Sequence, residues 1–386
     1  MNRLFNPFIA TVSTILALGY AYLAWRLASG AVARLGLAVP FLLIWIVPVV
    51  YWTGEREHKG RVDDAVHFMS YLSMGWLNFA IVLCAGRDAL LLTTAALPVF
   101  GGLHATLREA GTGWVWIGSL AALAAGAFAA LRGPHVRQVD IAIDGLDADL
   151  EGLRIVQISD LHIGLTIRAS YVRRVVHAAN ALRPDLVALT GDMVDGAVAR
   201  LAPHVAPLAD LKPGGRVFLV PGNHEYYSGA APWLRHFESL GLRVLLNEYV
   251  VIAQGRARIV VGGVVDPAAR LDDPRQRPRP DLAVAPEAGR AFRLLLAHNP
   301  KIAPVAEQAG FDLQLSGHTH AGQFFPWTLA VHLVHAPHVA GLSRRGRLWV
   351  YVSAGTGTWG PPVRFGTEPE LTLLRLVRGD RRQHGG

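Results

Sequence analysis

The chain has 386 residues, 52% of them apolar, and a formal net charge of +8. A single cysteine, Cys84, excludes internal disulfides and any cysteine-based zinc site. Only Lys59, Lys212 and Lys301 among the 37 basic residues are lysines, and no basic stripe interleaves with aromatics, so nucleic acid is not an expected partner.

The apolar excess sits in residues 1–132. Asn6 to Trp25, Leu35 to Gly54, Ala65 to Gly86, Ala89 to Leu107 and Ala110 to Leu131 carry no Asp, Glu, Lys or Arg. Each is about long enough to cross a bilayer as a helix. Trp25, Trp45, Trp52, Trp76, Trp114 and Trp116 lie in these runs, several near an end, as interface anchors do. Only Arg87 and Asp88 separate the third run from the fourth, too short a link for two antiparallel spans, and the fourth contains Pro98, Gly101, Gly102 and His104. That segment prolongs the third helix or lies in the interface, which leaves an all-α transmembrane bundle of about four helices. His67 and His104 read as interface or loop histidines.

With four spans and the N-terminus inside, Arg3, Arg56, Lys59, Arg61, Arg132 and Arg137 flank the inner side, and Arg26, Arg34, Arg87 and Arg108 the outer. That excess leans towards a cytoplasmic catalytic domain. The expectation is a multi-pass integral protein of a bacterial inner membrane.

Gly133 and Pro134 mark a boundary. Residues 133–378 then alternate between strand-like and helix-like segments, and 379–386 read as a disordered tail. Val136 to Ile143 alternates like a strand. Ile167 to Leu182 has helical spacing, stopped by Pro184. Trp233 to Leu240 and Ile302 to Ala309 are further helices, each closed by a glycine. Strands are expected at Arg243 to Leu246, Arg258 to Gly262, Leu348 to Val352 and Leu371 to Val377. Such alternation predicts a layered α/β fold. Asp266 to Pro286 reads as a long loop.

Five Val/Ile/Leu-rich runs end in side chains that bind metals. Arg154 to Ser159 leads into Asp160 and His162. Asp185 to Gly191 leads into Asp192. Val217 to Gly222 leads into Asn223, His224 and Glu225. Phe292 to Ala297 leads into His298, and Phe311 to Gly317 leads into His318 and His320. Short apolar runs read as buried strands, and α/β sheets place their sites beyond the strands' carboxyl ends. Residues i and i+2 of an extended chain project to one side, so each pair can face one site. Asp192 has two oxygens with which to bridge two cations. Seven mixed N and O donors exceed what one divalent ion needs and suit two ions about 3.5–4 Å apart. Their softness fits Mn, Fe or Zn rather than Ca or Mg.

The set Asp160-x-His162, Gly191-Asp192, Gly222-Asn223-His224-Glu225, His298 and Gly317-His318-Thr319-His320 resembles the calcineurin-like metallophosphoesterase family. The wider wording around Asp160, Asn223 and His318 is similar to its membrane-anchored branch with several N-terminal transmembrane helices. The resemblance covers roughly Arg154 to Gly357. It implies a β-sandwich flanked by helices, with Asp160, His162 and His320 on one metal, Asn223, His298 and His318 on the other, and Asp192 bridging. It also implies in-line attack on phosphorus by a hydroxide shared between the metals. His224 resembles the histidine that protonates the leaving oxygen, and imidazole titrates near neutral pH. Glu225 would orient a ligand or neighbour from behind.

The protein Ser/Thr phosphatases of this superfamily follow Gly-Asp with Asp-Arg-Gly. Here the stretch runs Gly191-Asp-Met-Val-Asp195-Gly196 without the arginine, which argues against a protein phosphatase. His332, His335 and His338 form a spaced trio read as a loop.

The expected activity is hydrolysis of a phosphoester, a phosphodiester or pyrophosphate, with a phospholipid, a nucleotide-linked lipid or a lipid A precursor as a fitting substrate. Two alternatives stay open: a non-catalytic metal-binding interaction module, and the regulatory domain of a membrane transporter.

Overall fold

The computed structural model describes residues 7–47, 60–285 and 289–379. Trp52, Arg3, Arg56, Lys59 and the tail from residue 380 lie outside the described residues. The chain divides into two compact units. One runs to Leu131 and includes Gly360–Phe365; the other comprises Arg132–Trp359 and the chain from Gly366 on.

The first unit contains helices α1 (Pro7–Leu27), α2 (Ala31–Ile46), α3 (Arg61–Ala96) and α4 (Gly101–Arg132). The third apolar run and part of the fourth form the single 36-residue helix α3. It breaks at Leu97 and Pro98, where a proline lacks the N–H needed to continue the ladder. Helices α3 and α4, the latter counted with the short turn before it, are long and apolar enough to cross a membrane; α2 is a shorter apolar helix. Their shared core holds Leu23, Phe41, Trp76, Ala80, Cys84 and Val115. His67 and His104 lie within α3 and α4 rather than in loops, and His67 is buried. Within this unit Asp88 accepts from Arg26 and from Tyr22, and Arg87 reaches both Asp88 and Thr112.

The second unit contains β1 (His135–Ile143), β2 (Arg154–Ile158), α5 (Ala169–Ala181), β3 (Leu186–Leu189), α6 (Val198–Val205), β4 (Val217–Leu219), α7 (Asn223–Tyr227), α8 (Ala230–Ser239), β5 (Arg243–Val244), β6 (Glu248–Gln254) and β7 (Ala257–Gly263). There follow β8 (Phe292–Leu296), α9 (Ala303–Gln308), β9 (Leu313–Ser316), α10 (Trp327–His335), β10 (Gly341–Arg345), β11 (Leu348–Val352) and β12 (Glu370–Arg378). The strands form two six-stranded sheets, ordered β1-β12-β2-β3-β4-β5 and β10-β11-β9-β8-β7-β6. Strands β2 to β5 are mutually parallel, as are β7, β8, β9 and β11.

The residue pattern explains this layering. Alternate side chains of the first sheet, among them Ile155, Leu186, Ala188 and Phe218, meet Ile259, Val261, Leu294, Leu296 and Leu315 of the second in one core. The opposite face of the first sheet (Val156, Ile158, Val187, Leu189) packs on Tyr171, Val172 and Val175 of α5 and on Trp233 and Phe237 of α8. The outer face of the second packs on Ala303 and Ala306 of α9. Central strands buried on both faces carry continuous apolar runs, so they were visible as runs. The edge strands β6 and β10 are partly exposed and were not expected. Asp266 to Ala285 is loop apart from a 3₁₀ turn at Pro267–Leu271. His332 and His335 lie on α10, not in a loop: Pro326 precedes the helix, where its missing N–H costs no ladder bond.

One polar contact ties the sheets at the functional end. Buried Gln157 of β2 donates through Nε2 to Thr190 Oγ1 and to the Ser316 carbonyl of β9, each at 2.8 Å.

Candidate metal centre

All five strand ends deliver their donors to one place. Asp160 follows β2, Asp192 follows β3, Asn223 follows β4, His298 follows β8 and His318 follows β9. Asp160, His162 and His320 form one cluster whose ligand atoms lie within 4.8 Å of one another; Asp192, His298 and His318 form another. Asn223 Oδ1 joins the second, 3.2 Å from His298 Nε2 and 3.0 Å from His318 Nδ1. Asp192 Oδ2 lies 3.2 Å from His298 Nε2 and 3.8 Å from His162 Nε2, so it stands between the two sets.

The local backbone differs from the extended chain expected for the i, i+2 pairs. Asp160 (φ 51°), His162 (49°), Asp192 (55°), His318 (73°) and His320 (50°) are all left-handed. Such residues cost free energy unless the surroundings hold them. Here the loops hold one another: the Asp160 N–H donates to the Gly191 carbonyl and the His162 N–H to that of Asp192. These side chains therefore share a site because tight turns re-aim them.

Two signature glycines owe their place to close approach. A Cβ on Gly222 would lie 2.2 Å from Asp192 Oδ1, and one on Gly317 would lie 2.0 Å from Asp160 Oδ2. The same two carboxylates are fixed by backbone donors. Asp192 Oδ1 accepts the His224 N–H at 2.8 Å, and Asp160 Oδ1 accepts the His318 N–H at 2.9 Å.

The donor chemistry fits divalent cations. His298 Nδ1 lies 2.8 Å from the Thr190 carbonyl, which only accepts, so Nδ1 carries a proton. Its Nε2 then faces Asp192 Oδ2, Asn223 Oδ1 and His318 Nδ1, each at 3.2 Å. Burial opposes an imidazolium at His298, yet the charge of Asp192 lifts its pKa well above the ordinary value. Burial and the His298 charge push His318 down to about 3. A proton on His298 Nε2 serves one of the three acceptors; a cation serves all of them. Likewise His162 Nδ1 is committed to Asp195, and its Nε2 lies 3.0 Å from His320 Nε2. Two imidazole nitrogens in that geometry suit a metal between them.

Asp195 is the residue the sequence reading missed. Its Oδ1 lies 2.9 Å from His162 Nδ1 and 2.7 Å from His224 Nδ1, joining a ligand candidate to the acid candidate. Burial alone would raise its pKa; the two histidines hold it well below the carboxylate range. The signal was present in Gly191-Asp-Met-Val-Asp195, which was read only for its absent arginine. Burial disfavours a charged His224, but the hydrogen bond and charge of Asp195, with Asp192 and Glu225, raise it to about 9.

Glu225 is fully buried and spends both oxygens on the ligand loops. It accepts from the N–H groups of Asp192 (2.9 Å), Gly222 (2.7 Å) and Met193 (2.7 Å). Burial and the Asp192 charge raise it to about 7, against the pull of these donors. Exposed Tyr227 and Trp359 flank His224, with ring centres 5.3 and 5.9 Å away.

The sequence profile of the calcineurin-like phosphoesterases matches residues 153–322, from β2 through the His318–His320 turn. A zebrafish (Danio rerio) transmembrane protein with metallophosphoesterase domain is 32% identical over 82% of this chain and 75% of its own length. The chain belongs to the calcineurin-like phosphoesterase family. An uncharacterized metallophosphoesterase of Helicobacter pylori is 37% identical over 65% of this chain, a match spanning 66% of that relative. One from Aquifex aeolicus is 33% identical over 58% of this chain and 85% of its own length. Alongside the family match and the Helicobacter pylori match, which spans 66% of that relative, two of the described helices are of membrane-crossing length.

Proposed function

We propose that this chain is a multi-pass membrane enzyme, with about four spans, that hydrolyses a phosphodiester or pyrophosphate using two divalent cations. Asp160, His162 and His320 would hold one and Asn223, His298 and His318 the other, with Asp192 standing between the two sets. The carrying observation is the convergence of seven metal-binding side chains into two sets around Asp192, with imidazole nitrogens, carboxylate and amide oxygens facing one another. Mn, Fe or Zn suits this mixed imidazole and carboxylate set. When bound, such cations polarise phosphoryl oxygens and lower the pKa of water.

The chain's own residues supply the rest. His224, held near pKa 9, is protonated at neutral pH. Its Nδ1–H is directed to Asp195, which leaves the Nε2–H for the departing oxygen. Glu225 holds the Asp192 and Asn223 loops in register through their backbone donors. Asp195 fixes the ring of His162 while it charges His224. The apolar helices joined to this unit support a lipid-borne substrate, a phospholipid or nucleotide-linked lipid, with the catalytic unit on the cytoplasmic side.

The test uses the full chain in detergent, stripped by chelator and reloaded with Mn, Fe or Zn, and assayed on nitrophenyl diesters, phospholipids and nucleotide-lipids. Asp192→Asn should lower metal content and remove most activity. A metal-replete wild type inert on every ester would refute the hydrolase reading and favour a binding module.

A further inference from the structure

Helix α10 follows directly on the His318–His320 turn, and none of its nine residues is buried. Leu333 is 91% exposed, Leu329 65% and Trp327 55%, with Val334 and the preceding Phe325 also open to solvent. A helix of a water-soluble domain buries an apolar stripe and shows a polar face outward. This one presents Trp, Leu and Val outward instead. Its far end meets the metal centre, where the His335 ring lies 5.3 Å from that of His318. The other side of the mouth is apolar too, with Tyr227 63% and Trp359 47% exposed beside His224.

Composition and connectivity select the occupant of this surface. From Leu313 to Thr367, the stretch that holds α10, there is no Asp or Glu. An acid-free, apolar helix suits the headgroup–acyl boundary of a lipid bilayer. Only Gly133 and Pro134 separate the last residue of α4 from the first of β1, so a bilayer is an apolar phase always within reach.

We propose that α10, with Phe325 and the aromatic rim at His224, lies in the headgroup–acyl boundary of a phospholipid bilayer, and that the centre draws a lipid phosphoester from that boundary. The substrate half rests on the hydrolase reading above; the bilayer contact does not. The acyl chains of such a lipid stay beside Leu329, Leu333 and Trp327 while its phosphate reaches the donors behind His335.

Two measurements test this with the full chain in vesicles of phosphatidylcholine and phosphatidylglycerol. In the first, Cys84→Ser removes the only, buried cysteine, and Leu333→Cys carries an environment-sensitive fluorophore. Nitroxide placed on the acyl chains should quench it strongly, and should spare the same label at exposed Glu238→Cys. Equal quenching at both positions overturns the bilayer contact. In the second, the double variant Leu329→Glu with Leu333→Glu should keep its metal content and its rate on a soluble nitrophenyl diester, while hydrolysis of vesicle phospholipid falls by about tenfold or more. A vesicle rate equal to wild type, or equal losses on both substrates, overturns the lipid route, as does a wild type active on the soluble diester and on no lipid. A metal-loaded wild type inert on both overturns the hydrolase reading, and the quenching result still decides the bilayer contact.

Discussion

Replacing Asp195 by Asn removes one negative charge and keeps an oxygen in the position that meets His162 and His224. His224 stands at about 9 because Asp195 outweighs the penalty of burial. Without that charge, burial pulls it back toward the ordinary imidazole value of about 6.5, against Asp192 and Glu225, which still raise it. A raised pKa keeps the acid form present below about 9 and loses it as pH rises through that value. At about pH 8 the protonated fraction is about nine tenths in the wild type and, at the limit of a full return to about 6.5, about 3% in Asp195→Asn, a loss of up to about thirtyfold in the competent acid. The assay is kcat/KM against pH for the metal-loaded full chain, on one diester with an alkyl leaving group and one with a nitrophenyl group. The alkyl diester should lose up to about thirtyfold near pH 8, with its alkaline limb moved to lower pH, while the nitrophenyl diester, whose leaving group needs no proton, changes little. An alkaline limb that stays in place, or equal losses on both esters with metal retained, would refute the proton-donor argument for His224.

Gly317→Ala and Gly222→Ala should each lower metal content sharply, because the added carbon would stand 2.0 Å and 2.2 Å from oxygens of Asp160 and Asp192; metal analysis of the purified variants reads this. Glu225→Ala strands three buried N–H groups and should cost about 2–4 kcal/mol, measured as a fall in Tm of the reloaded protein. Chelation should lower the Tm by several degrees and re-addition of Mn or Zn restore it, since a cation that binds only the folded centre stabilises it. Gln157→Leu leaves a buried carbonyl of Ser316 without its 2.8 Å donor and should cost about 1–3 kcal/mol in denaturant unfolding, with metal content unchanged.

Legibility followed burial. The runs ending at Asp160, Asp192, Asn223, His298 and His318 were readable because their strands are covered on both faces and so carry unbroken apolar sequence. β6 and β10 stand at an edge of their sheet, where half-exposed side chains blur the period-two signal. α10 escaped because its apolar residues obey no buried stripe and its histidines drew the eye to a loop. Arg87 and Asp88 are too short a link between the third and fourth apolar runs, and the alternative that the fourth run prolongs the third helix is what α3 shows, with the break at Leu97 and Pro98.

Residue chemistry is local, so the central strands, the Asp, Asn and His side chains at their ends and the family could be read along the chain. Which atoms face which is not local. The left-handed turns at Asp160, His162, Asp192, His318 and His320 are held by hydrogen bonds between loops remote in sequence. Asp195 acquires its place only because His162 and His224 come to it from two different strand ends. The exposure of the apolar side chains of α10 is likewise something only three-dimensional burial decides.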